Sequence, residues 1–179
     1  MIHNTEEYIV LLEDLDYTTA EKLFKDKLSS SPNYPEVFHS GMAVCHIRNN
    51  KISEAKQEME KVRETGNLNF LSHIALGLIA EKEGDFELAE KQYKYAVENE
   101  SAKSYSWFMY GAFLLSQNRY AESEEMLLQA QKINQRSWAC KVNLAHINHK
   151  SRRHILAAKY ALSAFVLKPN NITMQVAAH

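Results

Sequence analysis

Glycine and proline are scarce, at 5 and 3 of 179 residues, which favours long helices joined by short turns. The two cysteines, Cys45 and Cys140, lie far apart and form no C-x-x-C pair, so neither a disulfide framework nor a cysteine metal site is expected. Reduced thiols in a cytoplasmic protein are the simpler reading. No apolar run approaches the roughly 20 residues that cross a bilayer. The acidic start, Met1 to Glu7, lacks the basic region and apolar core of a secretory signal. Net charge is also small, −1 with a pI near 6.7, which offers no general attraction for nucleic acid or an anionic membrane.

Catalytic signals are equally sparse. There is no G-x-S-x-G elbow, no glycine-rich phosphate loop and no H-E-x-x-H pair, so no enzyme activity and no cofactor are expected. Eight histidines invite a metal reading, with His146 and His149 at i, i+3 and His154 past the next turn. Zinc or nickel could use that spacing, yet no carboxylate or thiol completes the set. They read as exposed or groove-lining side chains.

What is present is periodicity. Ala20, Ala55, Ala89, Ser123 and Ala157 form a ladder of small residues spaced by 35, 34, 34 and 34 positions. Tyr17, Ile52, Phe86, Tyr120 and His154 stand three residues before each rung, and Phe24, Met59, Tyr93, Leu127 and Ala161 four after. A repeat of this length predicts an all-α solenoid of stacked helix-turn-helix hairpins. The windows are 1–35, 36–69, 70–103, 104–137 and 138–171, with 172–179 an incomplete cap or the start of a sixth, all in one domain spanning 1–179.

Within a window the apolar residues fall on two helical stripes. The turns between them are predicted at Gly84-Asp85, Asn49-Asn50-Lys51, Gln117-Asn118-Arg119 and Ser151-Arg152-Arg153, where glycine and asparagine suit a left-handed helix end. Pro32 and Pro169 close the first and last windows. Small residues allow antiparallel helices to approach, and Gly77 with Ala89, Gly111 with Ser123, and Ala145 with Ala157 supply such pairs.

The pattern resembles the tetratricopeptide repeat. Window 70–103 carries Leu76, Gly77, Ala89, Tyr93 and Ala96 at the favoured positions; 104–137 carries Trp107, Gly111 and Ala130; 138–171 carries Leu144, Ala145, Ala157, Ala164 and Pro169. Window 36–69 rests on Ala43 and Ala55, and the first keeps Ala20, Phe24 and Pro32 while its leading helix departs. The resemblance implies a right-handed superhelix of about five hairpins and a non-catalytic scaffold or adaptor. The first helix of each repeat would line a concave groove for a partner peptide or helix. Projected here, that groove holds Val37, Ser40 and Val44, then Leu71, Ile74 and Leu78, then Tyr105, Phe108 and Met109, and finally Val142, Asn143 and His146. Its middle is apolar and aromatic, as suits recognition of an apolar peptide or amphipathic helix. The competing reading packs those side chains between adjacent first helices.

Family members that hold acidic chaperone tails use a two-carboxylate clamp. The corresponding sites here carry Ser40, Val44, Ala75, Tyr105 and Met109, with only Asn143 matching, so that specialisation is not expected. His39 and His73 stand where the family often has tryptophan, which implies an interface between helices. Tyr110-Gly111-Ala112-Phe113-Leu114 with Arg119-Tyr120 and Ala121-Glu122 resembles a repeat of bacterial type IV pilus biogenesis proteins. Those act as outer-membrane pilotins behind a lipoprotein signal, which this chain lacks as written. An export chaperone is a related alternative. Ile172, Met174 and Val176 make a meagre cap, so either a longer array or packing of that end on another copy or another protein is also expected. The partner is thus a protein or peptide, without nucleic acid or membrane insertion.

Overall fold

The ladder is realised as five consecutive helical hairpins and one further short helix. The structure is a computed structural model describing residues 5–30, 33–99 and 103–177, and among these residues it is all helical. Pro32 lies outside the described residues. The contacts gather into two compact units, residues 1–101 and 102–179. The first holds α1 (Thr5–Glu13), α2 (Tyr17–Ser29), α3 (Pro35–Arg48), α4 (Ile52–Thr65), α5 (Phe70–Glu83) and α6 (Phe86–Asn99). The second holds α7 (Ser104–Ser116), α8 (Tyr120–Ile133), α9 (Trp138–Lys150), α10 (His154–Leu167) and α11 (Asn171–Ala177).

The residue three before each rung is the first residue of each second helix: Tyr17, Ile52, Phe86, Tyr120 and His154. The turn in front of it repeats one backbone device. Leu15, Asn50, Gly84, Asn118 and Arg152 all have φ between 58° and 81°. The next residue's N–H then reaches back to a first-helix carbonyl, as in Asp85 to Ala80 at 2.9 Å and Arg153 to Asn148 at 2.8 Å. This is the six-to-one closure of a Schellman motif, which satisfies carbonyls the helix end would leave bare. Gly84 meets the requirement at no steric cost, whereas Leu15 and Arg152 adopt it with a full side chain.

In the first unit, α3 packs on α2, α4 and α5, and α5 packs on α6. In the second, α7 pairs with α8, α9 with α10, and α11 rests on α10 and α9. The rungs Ala20, Ala55, Ala89 and Ser123 are fully buried, and Ala157 nearly so. Ser123 Oγ donates to the Gly111 carbonyl at 2.7 Å, tying α8 to α7. A Cβ on Gly77 would come within 2.9 Å of the Tyr93 ring, and one on Gly111 within 2.8 Å of Leu127. The expected pairs are therefore close approaches, but the side chain entering each glycine's space is the one four residues past the rung. Tyr93 also donates its hydroxyl to Glu81, whose carboxyl is raised above its usual range, chiefly by burial.

Candidate interaction surfaces

The first helices carry the residues projected onto the groove, and most of them are interior. Ser40, Val44, Leu71, Ile74, Leu78, Tyr105, Phe108 and Met109 are all buried, none more than 6 % exposed. The apolar groove centre expected from sequence is corrected accordingly: these side chains are packing. The cause is local. The sequence of α5, FLSHIALGLIAEKE, is apolar on nearly every side until its last turn, and such a helix is covered all round. α5 lies against both α3 and α6, and α7 pairs with α8 and also touches α9. Ser40 Oγ donates to the Glu36 carbonyl at 2.6 Å and sits 2.8 Å from Ser72 Oγ, joining α3 to α5. Tyr105 stacks on Phe108 with ring centroids 6.3 Å apart.

The groove candidates that keep solvent contact are Val37, at the start of α3, and Val142, Asn143 and His146 on α9. Below His146 the second unit forms a depression of about 190 Å³ lined by Ala145, His146, His149, His154, Ala157, Ala158, Val176 and Ala177. The His149 and His154 rings meet edge to face at 5.6 Å. Partial burial, with Lys150 and His149 alongside, lowers the His146 pKa. Among the described residues no group of three His, Cys, Asp or Glu is placed to hold a metal ion. This end is a recess with histidine and alanine side chains along its lining.

His39 and His73 pack between helices of their own hairpins. His39 Nδ1 is 2.6 Å from Glu58 Oε2, and His73 Nδ1 is 2.9 Å from Gln92 Oε1. Burial opposes ionisation of Glu58, yet Lys61 and His39 together hold its carboxyl below the usual range. Burial lowers the His46 pKa despite Glu21, whose carboxylate lies 3.9 Å away. Both cysteines are buried thiols; burial pushes Cys45 up to about 12, and Cys140 Sγ donates to the Leu127 carbonyl. A thiol so disfavoured as thiolate is chemically quiet. No helix among the described residues is long and apolar enough to cross a membrane.

One surface escaped the sequence reading. α4, α6 and α8 present seven, five and four Asp, Glu, Lys or Arg respectively, while α10, HILAAKYALSAFVL, has Lys159 alone. Its inner side buries Ala157, Ala161 and Ala164; its outer side leaves Ile155 91 %, Leu162 60 % and Val166 74 % exposed. The surrounding charge is one-sided. From Met126 to His179 there are eight Lys or Arg and no Asp or Glu, whereas the preceding 125 residues hold all 22 acidic residues against 13 basic ones. A whole-chain charge of −1 conceals this division. The length of the acid-free run was the signal that could have found it.

Comparison with known proteins agrees with this architecture. Residues 74–139 match the family model described as tetratricopeptide repeat. The chain is 28 % identical over 89 residues to the type IV pilus assembly protein PilF of Pseudomonas aeruginosa, covering 50 % of this chain and 35 % of PilF. It thus matches only about a third of that relative's length. A solved structure of Pseudomonas aeruginosa PilF superposes with a TM-score of 0.71 at 21 % identity, covering 80 % of this chain and 66 % of that one. YrrB, described as a TPR protein with an unusual peptide-binding site, gives 0.63 at 16 % identity over 96 % of this chain and 89 % of its own. The Cut9–Hcn1 hetero-tetramer of the APC/C gives 0.70 at 16 % identity, covering 91 % and 31 %. Proteins of this fold are generally non-catalytic interaction scaffolds. Residues 74–139 thus match the tetratricopeptide repeat, and the hairpin geometry and structural neighbours show the same helical-solenoid fold in the described residues around them.

Proposed function

We propose that this chain is a non-catalytic scaffold that binds a peptide or helix of a partner protein through the open faces of its hairpins. The observation that carries the reading is the division of labour within the repeats. Nearly every apolar residue of α3, α5 and α7 is spent on packing. Function then rests on the surface left over, including Val142, Asn143 and His146 on α9. YrrB, with a peptide-binding site on a similar fold, supports the same class of activity.

A photo-crosslinking amino acid placed at Val142 tests this in cells, with Lys91 on the charged outer side of α6 as control. Discrete adducts with a protein are expected from position 142 and none from position 91. Absence of adducts, or the same adducts from both, contradicts the proposal. The match to PilF in sequence and fold favours a second, narrower reading, a factor in pilus or secretion assembly. Adducts made with a component of a pilus or secretion apparatus support that reading, and adducts made only with other proteins contradict it.

A further inference from the structure

The outer face of α10 is built unlike that of any other second helix. Ile155, Leu162 and Val166 recur at i, i+7 and i+11, with exposed Ala158 and Lys159 between them. At 1.5 Å per residue the stripe runs about 16 Å, three turns of helix. An apolar stripe of this kind on a solvent-facing helix is the half of a helix–helix contact that lacks its partner. At its N-terminal end Arg152, Arg153, His154, Ile155, Leu156 and Lys159 line a shallow depression, so the surface there is concave as well as apolar.

The charges identify what would cover it. Lys150, Arg152 and Lys159 have no ion-pair partner among the described residues. In the second unit Arg119 and Arg153 pair with Glu122 and Glu124, and the chain offers no acid beyond Glu125 for Lys150, Arg152 or Lys159. We infer that the outer face of α10 docks an acidic amphipathic helix of a partner protein, its apolar side on Ile155, Leu162 and Val166 and its carboxylates toward Lys159 and Arg152. The inference rests on the scaffold reading and adds to it a second surface and the chemistry of its ligand.

Two other occupants fit less well. A second copy pairing α10 antiparallel with itself would set Ile155 against Val166 and bring the two Lys159 side chains together near the two-fold axis, with no acid on either helix to offset them. A lipid surface suits faces with aromatic side chains at the interface, and the exposed large apolar residues of α10 include none.

The test uses the full chain and a fluorescein-labelled, helix-stapled peptide of about four turns, with leucines at i, i+4, i+7 and i+11 and flanking glutamates. Fluorescence anisotropy is expected to show saturable binding that weakens at least about tenfold in Leu162→Glu and in Lys159→Glu. The affinity should also fall as salt rises from about 0.05 to 0.5 M. The same peptide with lysines in place of glutamates should bind at least about tenfold more weakly. Both positions are exposed, so circular dichroism should show both variants folded. Equal affinity for wild type and Leu162→Glu, preference for the lysine peptide, or no binding overturns the inference. So does light scattering in which Leu162→Glu turns a dimer into a monomer, or binding to phosphatidylserine vesicles that Leu162→Glu abolishes. Adducts from Val142 that persist in a chain failing these tests leave the scaffold reading standing and remove only this site.

Discussion

Replacing Gly41 by alanine should destabilise the protein by about 2–3 kcal/mol, more than any other single methyl addition in the first unit. Gly41 lies in α3, where a Cβ would fall 2.3 Å from Phe24 Cζ and 2.6 Å from both of its Cε atoms. Phe24 cannot yield easily. It is fully buried on α2, and its ring is tilted against Phe38 at a centroid distance of 6.4 Å. The gain from alanine's better helix propensity, up to about 1 kcal/mol, is too small to offset the clash. Gly66 provides the contrast: its added Cβ meets nothing within 4 Å, and only its φ of 71° is penalised, by about 1–2 kcal/mol. Urea denaturation followed by circular dichroism checks the effect, and an unchanged midpoint for Gly41→Ala would remove the close α2–α3 contact from the account.

Ile74→Ala is expected to cost about 3 kcal/mol, the lost transfer energy of the side chain plus the cavity left behind. Ile74 is fully buried in α5, which packs on α3 and α6. From sequence it was projected onto the groove, with packing between first helices as the competing reading. The structure buries it. A lowered urea midpoint identifies Ile74 as scaffold, and a wild-type midpoint would return it to the surface. Tyr105, also fully buried, belongs to the same class.

Much of the fold was legible because the constraints repeat. The small rung, the bulky residue four later and the turn before the second helix recur at fixed spacing, so noise at one repeat is corrected by the others. Asn50, Gly84 and Asn118 announced their left-handed turns by residue type. Leu15 and Arg152 did not, since neither favours that conformation, and only the period marks Leu15 as a turn. The leading helix departs from the family pattern yet forms α1, with Ile9 and Leu12 buried.

The candidate surface was less legible for two reasons. Apolarity cannot distinguish a packed side chain from a waiting one, and Leu71, Phe108 and Met109 proved to be packed. What separates them is the absence of any polar side on α5 and most of α7, a property of the helix as a whole. α10 posed the opposite problem. Its all-round apolarity resembles that of a buried helix, but Ile155, Leu162 and Val166 face solvent, because α9 and α11 cover only part of its circumference. Averaging charge over the chain then hid the acid-free stretch around it.

The central claim is that the buried first helices hold the repeats together and that partners meet other faces. Amide hydrogen exchange of the full chain, alone and with the acidic helical peptide, tests it most directly. Amides of α5 and α7 should be among the slowest in the free protein and unchanged on binding, with added protection confined to the α10 region. Rapid exchange in α5 and α7 that slows when the peptide binds would contradict the account, because those helices would then be the binding surface.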